Sequence, residues 1–216
     1  MNYAEIKKVN FNLPDSISHV KELLEGREYR TLLVVIRPGE FHPRLLDLIR
    51  ELEATKEIQL QFFGTLIGQE HLLSLSPRKI IQFYEEEYEE AECYPEDVLI
   101  NLVKKNHRLL EIPVKLSSGQ VVLDIIKIVE SRPDKHIVEF PIELEILEHF
   151  LSLIGHSCTG HSVERIGDSE FTLGESRIID EEDGETSFWF ELNHGTKSVI
   201  SVHKKTNGGR ITIKRG

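Results

Sequence analysis

The chain has 216 residues, of which 39% are hydrophobic and 29% charged; that balance excludes intrinsic disorder and is enough to bury one large core or two small ones. Its formal charge of −11 speaks against broad nucleic-acid binding, which rests on cationic neutralisation of phosphates. No apolar run approaches the roughly 20 residues that span a bilayer, and the start MNYAEIKKVNFNLPD lacks the apolar centre of a secretory signal.

The expected setting is therefore cytoplasmic and away from membranes. The two cysteines, Cys93 and Cys158, fit free thiols in a reducing compartment better than a disulfide framework.

After Pro14, DSISHVKELLEG places apolar residues at 17, 20, 23 and 24, the spacing of a short amphipathic helix with Asp15 or Ser16 as cap and Gly26 as stop. RTLLVVI (30–36) is an unbroken β-branched run, as expected of a central strand. RLLDLIRELEAT then has helical periodicity and EIQLQFFGTLI reads as a second strand, so the first hundred residues look like α/β with a βαβ unit.

Ser76-Pro77 is a good helix start, and the spacing predicts a helix to about Cys93 whose EEEYEEAE face is solvated or docks a partner. YPEDVLINLVKK restarts as a helix with acids in its first turn and lysines in its last. From His107 on the pattern changes: HRLLEIPVKL, the turn SSGQ and VVLDIIKIVE suggest a β-hairpin, although the second arm also fits a helix. HIVEFPI reads as a strand and ELEILEHFLSLIG as a helix closed by Gly155. EFTLGESRIID, TSFWFEL, SVISVHK and GRITIKR read as four short strands joined by turns containing glycine or asparagine.

The expectation is an α/β N-terminal part, residues 1–106, followed by a closely packed, β-rich α+β part, residues 107–216, built on an antiparallel sheet. No Gly/Ser-rich linker separates them, and no repeat of 20 to 50 residues is present.

The cluster richest in chemistry is GHSCTGHS (155–162). With His149 it offers imidazole and thiolate donors at His149, His156, Cys158 and His161 for zinc or another divalent metal. Cys158 and His161 alternatively form a nucleophile and a base, as a thiol hydrolase would need. The spacing matches no paired Cys-x-x-Cys zinc motif, so a hydrogen-bonded polar loop after a helix is the simpler expectation.

A second candidate is RPGEFHPR, placed by the pattern at the carboxyl edge of the central strand, where Arg37, His42 and Arg44 would hold a small anionic ligand. No glycine-rich phosphate motif accompanies it, and Glu40 opposes an anion. A third is Asp124 with Glu139, a carboxylate pair on neighbouring predicted strands that lacks the Glu-x-Lys of restriction-type nucleases.

Charge is segregated near the end of the chain. Residues 164–191 hold ten acids and two arginines, whereas residues 197–216 hold six Lys/Arg and no acid. Lys204, Lys205, Arg210, Lys214 and Arg215 form a basic set without interleaved aromatics, which favours an acidic counterpart in the same molecule or in a protein partner over nucleic acid. In SFWFEL, residues 188 and 190 share a strand face and Trp189 takes the other, to be covered by a subunit interface or by the helix at 142–154.

The functional expectation is a non-enzymatic binding, adaptor or ligand-sensing regulatory protein, with a protein partner or a second copy of itself. The alternative is a metal- or thiol-dependent hydrolase at His156, Cys158 and His161.

Overall fold

The computed structural model describes residues 3–6, 22, 31–37, 41, 43–52, 57–76, 79–84, 93–180, 186–206 and 208–215. The helix expected over 15–26 lies outside these apart from Glu22, which is helical.

The parallel part alternates strands and helices: β1 (Tyr3–Ile6), β2 (Thr31–Ile36), α1 (Arg44–Leu52), β3 (Glu57–Phe63), α2 (Gln69–Ser74) and β4 (Ile80–Tyr84). It continues with β5 (Tyr94–Pro95), α3 (Glu96–Lys104), β6 (Arg108–Leu110), β7 (Val114–Lys115), α4 (Gly119–Glu130) and β8 (Ile137–Glu143). After α5 (Leu144–Leu153) come a hairpin of β9 (His156–Thr159) and β10 (Ser162–Arg165), then a meander of β11 (Phe171–Asp180), β12 (Thr186–His194), β13 (Ser198–Lys205) and β14 (Gly208–Arg215).

One ten-stranded sheet runs through both parts in the order β1-β2-β3-β4-β6-β8-β14-β13-β12-β11. The first six of these are mutually parallel, and β14 joins β8 antiparallel. The sheet thus continues across the boundary expected near residue 106.

The parallel strands follow one another in chain order. Because crossovers between parallel strands are right-handed, strands laid down in a single direction place every connecting helix on the same face. Burial agrees: β3, β4 and β8 each alternate between buried residues and half-buried or exposed ones. The buried set (Leu60, Phe62, Ile81, Phe83, Val138, Phe140) joins Leu45 and Ile49 of α1, Leu99 of α3, Val122 of α4 and Leu147 of α5 in one core. The antiparallel strands extend that core with Phe190, Leu192, Ile200, Val202, Ile211 and Ile213.

Two expectations are corrected. The helix predicted from Ser76 to Cys93 contains a strand instead: Ile80, Ile81, Phe83 and Tyr84 are β-branched or aromatic, and a partner on each side satisfies their backbone. The glutamate run at 85–90 lies outside the described residues. VVLDIIKIVE is a helix, not a hairpin arm; Val122, Ile125, Ile126 and Val129 give it a continuous buried stripe.

Backbone geometry fixes how helices hand over to strands. α3 ends in a Schellman motif, with His107 N–H donating to Leu102 O (3.3 Å) and Asn106 N–H to Val103 O (2.9 Å), and Asn106 takes φ 63°. At Gly119, where α4 starts, a Cβ would lie 2.2 Å from Phe150 N and 2.5 Å from its Cα. The glycine therefore lets the backbones of α4 and α5 touch.

Gly119→Ala is expected to lower stability by about 1–3 kcal/mol, the usual cost of overpacking. Gly64→Ala meets no atom within 4 Å and carries only the strain of φ +52°, about 1 kcal/mol. Urea unfolding of the two variants checks the order; equal losses would contradict the close approach of α4 and α5.

Candidate functional site

The motif GHSCTGHS is a β-hairpin rather than a loop. β9 and β10 pair with Cys158 opposite Val163 and Ser157 opposite Glu164. The two-residue turn has Gly160 at φ +57° while His161 stays out of the left-handed region, a type II′ arrangement that suits the twist of a hairpin.

The hairpin keeps two of the expected ligands, His156 and Cys158, on one strand face and leaves the other two apart from them. His156 is buried and its Nδ1 lies 3.0 Å from Ile154 O. Cys158 shares its strand face, half-buried, and burial pushes the thiol pKa up despite the Lys204 ammonium beside it. His161 is at the exposed turn, its ring 6.1 Å from that of Phe188. His149 is elsewhere, accepting the Gly119 N–H at 3.3 Å and so capping α4. Among the described residues no three His, Cys, Asp or Glu side chains group as a metal site.

At the carboxyl edge of β2, Arg37 holds its guanidinium carbon 5.9 Å from the Phe63 ring centroid, a cation–π distance. Arg44 opens α1, and His42 lies outside the described residues. Sequential winding leaves no reversal of strand order within the parallel part, and that reversal is what opens a ligand crevice in doubly wound sheets.

Asp124 is on α4, exposed, and bound to Gln120 and Lys127, so it does not share a sheet with Glu139. Glu139 faces Arg210 across β8 and β14 at 3.3 Å, and Arg210 also reaches Glu111 at 3.0 Å. Burial raises the Glu139 pKa against the pull of that guanidinium.

The basic C-terminal set divides by strand face. Lys204 donates to Gly160 O at 3.1 Å, Arg215 donates to Glu130 O, and Arg210 is clasped by the two glutamates. Lys205 and Lys214 are exposed on the face away from the helices. Trp189 is also on that face, so the helix at 144–153 does not cover it; the Arg177 guanidinium carbon sits 4.7 Å from its ring centroid.

That helix-free face carries side-chain links between successive strands. Thr31 donates to Glu57, Gln59 and Gln61 donate to Gln82 Oε1, and Gln61 donates to the Tyr84 hydroxyl at 3.0 Å. Phe63 and Tyr84 stack at 4.3 Å with 6° between planes. Further along are Glu139–Arg210, Ser201 donating to Glu191 (3.3 Å), and Ser187 with His203 Nε2 at 2.7 Å.

A second polar assembly was not foreseen. On the helix side, the lowest register row of the sheet reads Lys79, His107, His136, Arg215, Ser198, His194 across six adjacent strands. The row above it is wholly apolar: Ile81, Leu109, Val138, Ile213, Ile200 and Leu192. The polar row lies where helices end, and helix C-termini present unpaired carbonyls and negative potential. Lys105 donates to Leu73 O and Leu75 O at the end of α2, Arg132 to Val103 O and Lys104 O at the end of α3, and Arg215 to Glu130 O at the end of α4.

The histidines of this row differ in charge. His107 Nδ1 accepts the Lys79 N–H at 3.3 Å, so the neutral ring carries its proton on Nε2. Burial, then Lys79, Lys105 and His136, lower its pKa to about 3. Burial, then Arg132 and Arg108, lower that of His136 to about 4.

For His194 burial again opposes charge. Its bonds to Glu130 (Nδ1, 2.7 Å) and Glu170 (Nε2, 3.1 Å) more than offset this and raise the pKa above the ordinary value. Ser198 Oγ also donates to Glu130. The sequence signal for this row was a histidine or lysine at the mouth of an apolar run, as in NHRLLEI and DKHIVEF.

No family model, curated protein or solved structure matches this chain. Among the described residues, no helix is long and apolar enough to cross a membrane.

Two outcomes follow for stability. The folded pKa values of His107 and His136 lie below the unfolded value of about 6.5; between roughly pH 6.5 and 4 the unfolded chain takes up protons that the folded chain refuses. Stability present above pH 6.5 is therefore lost on acidification, by about 1.4 kcal/mol per pH unit for each group. His136→Gln should roughly halve that slope in urea titrations from pH 7 to 5, and an unchanged slope would refute the assignment. Glu130→Ala should cost about 3 kcal/mol, because it strips the Nδ1 partner from His194 and the Oγ partner from Ser198 and leaves the imidazole only its exposed partner Glu170. It should also reduce the His194 contribution, which is present below pH 6.5 and lost as pH rises through the raised folded value; a calorimetric pH series reads both.

Proposed function

We propose that this chain is a non-enzymatic binding protein, an adaptor or regulatory subunit, that presents the helix-free face of its sheet to a protein partner. The observation that carries this reading is the organisation of that face. The carboxamides of Gln59, Gln61 and Gln82 and the Tyr84 hydroxyl already bond one another, and Phe63–Tyr84 and Arg177–Trp189 are already stacked.

Side chains fixed before association lose little entropy when a partner arrives. Tyrosine, tryptophan and arginine are also the residues that recognition surfaces favour. The would-be hydrolase residues are engaged otherwise: His149 caps a helix, His156 bonds a neighbouring carbonyl, and the Cys158 thiol is raised rather than lowered in pKa. A cytoplasmic setting is part of this reading, supported by the free thiol of Cys158.

The test compares what wild type, a Tyr84→Ala/Trp189→Ala double variant, Lys127→Ala on the helix side and Cys158→Ala each capture from the native lysate. Loss of about ten-fold in the face variant alone, equivalent to about 1.4 kcal/mol, is the expected result. Capture that survives the face variant and fails with Cys158→Ala would overturn the reading.

A further inference from the structure

Among the described residues, β11 ends the sheet on the side opposite β1. A terminal strand turns one row of N–H and C=O groups outward, where they are free to pair with another strand. This strand is ten residues long, and residues 172–178 are all exposed, Leu173 at 43% and Ile178 at 58%.

A bulge between Leu173 and Ser176 interrupts its pairing with β12, after which Ser176–Asp180 run in regular register. Bulges and charges are how isolated edges discourage indiscriminate pairing. The charges here do more than discourage, because their order is self-complementary.

Consider a two-fold axis perpendicular to the sheet through Ser176. It lays the strand antiparallel on a second copy and keeps each side chain on its own face, as a continuous sheet requires. Glu175 then lies opposite Arg177 of the other copy, and the pair occurs twice. Moving the axis one residue either way sets Glu175 against Glu175 or Arg177 against Arg177, and directly opposed like charges are destabilising. The guanidinium is held on the helix-free face by its stack on Trp189.

We infer that β11 is a homodimer edge at which two copies pair antiparallel about Ser176, joined by reciprocal Glu175–Arg177 contacts into one continuous sheet. This inference is independent of the partner-docking reading, since it concerns a different partner and is read by oligomeric state rather than by capture.

Sedimentation velocity of the full chain, over a range of micromolar concentrations, tests it. Wild type should form a concentration-dependent dimer. Glu175→Arg, which leaves the Trp189 stack intact, and Arg177→Glu should each weaken it by about ten-fold or more, since each sets like charges opposite one another twice. The double variant Glu175→Arg/Arg177→Glu should dimerise again, with circular dichroism confirming that all variants are folded. A monomeric wild type, a dimer indifferent to both single reversals, or a folded double variant that stays monomeric would each overturn the inference.

Discussion

At the last residue of α4 one carboxylate, 10% exposed, holds two strands of the antiparallel part at once, His194 of β12 and Ser198 of β13. The backbone carbonyl of the same residue receives Arg215 of β14. Glu130 thus fastens the helix layer to three strands that are remote from it in sequence. A buried carboxylate without such partners would be costly to desolvate. The surrounding arrangement follows from supplying them, with the His194 pKa raised by its carboxylate partners, Phe171 stacked on its ring at 4.4 Å, and Glu170 on its far nitrogen.

The same reasoning extends along the row. A sheet with all its helices on one side gathers their C-termini along one margin, and each terminus leaves carbonyls without helical partners. Lys105, Arg132 and Arg215 satisfy those carbonyls, the first two reaching back from the turn after the next helix and Arg215 from the end of β14. Burial, reinforced by these cations, pushes the His107 and His136 pKa values down, whereas the two carboxylates beside His194 push its pKa up. Histidines of one row are therefore shifted in opposite directions, according to burial and to the charges beside each.

Local pattern was readable wherever one periodicity dominated. RTLLVVI, RLLDLIREL, HIVEFPI and the four C-terminal runs formed the elements expected of them. IIQFY was lost within a helical frame suggested by Ser76-Pro77 and the glutamates after it, although its β-branched and aromatic residues favour a strand. GHSCTGHS was read for its donor atoms, whereas the strand-turn-strand pattern around Gly160 decides where those atoms point. The polar row and the helix-free face depend on which strands become neighbours. No local signal in NHRLLEI or GRITIKR states that His107 and Arg215 will lie two strands apart with His136 between them.

β14 lies at the middle of the sheet although it comes last in chain order, joining β8 on one side and β13 on the other. The parallel strands can add one by one as a ribosome delivers them, each onto its predecessor, and β11 to β13 can fold back on one another in turn. The two assemblies have no shared strand until residues 208–215 have been made. Synthesis therefore leaves β8 with an open edge until those residues are made, and Ile137 to Glu143 wait longest for their partner. A nascent chain arrested just short of those eight residues would hold two partial sheets with matching unfilled margins.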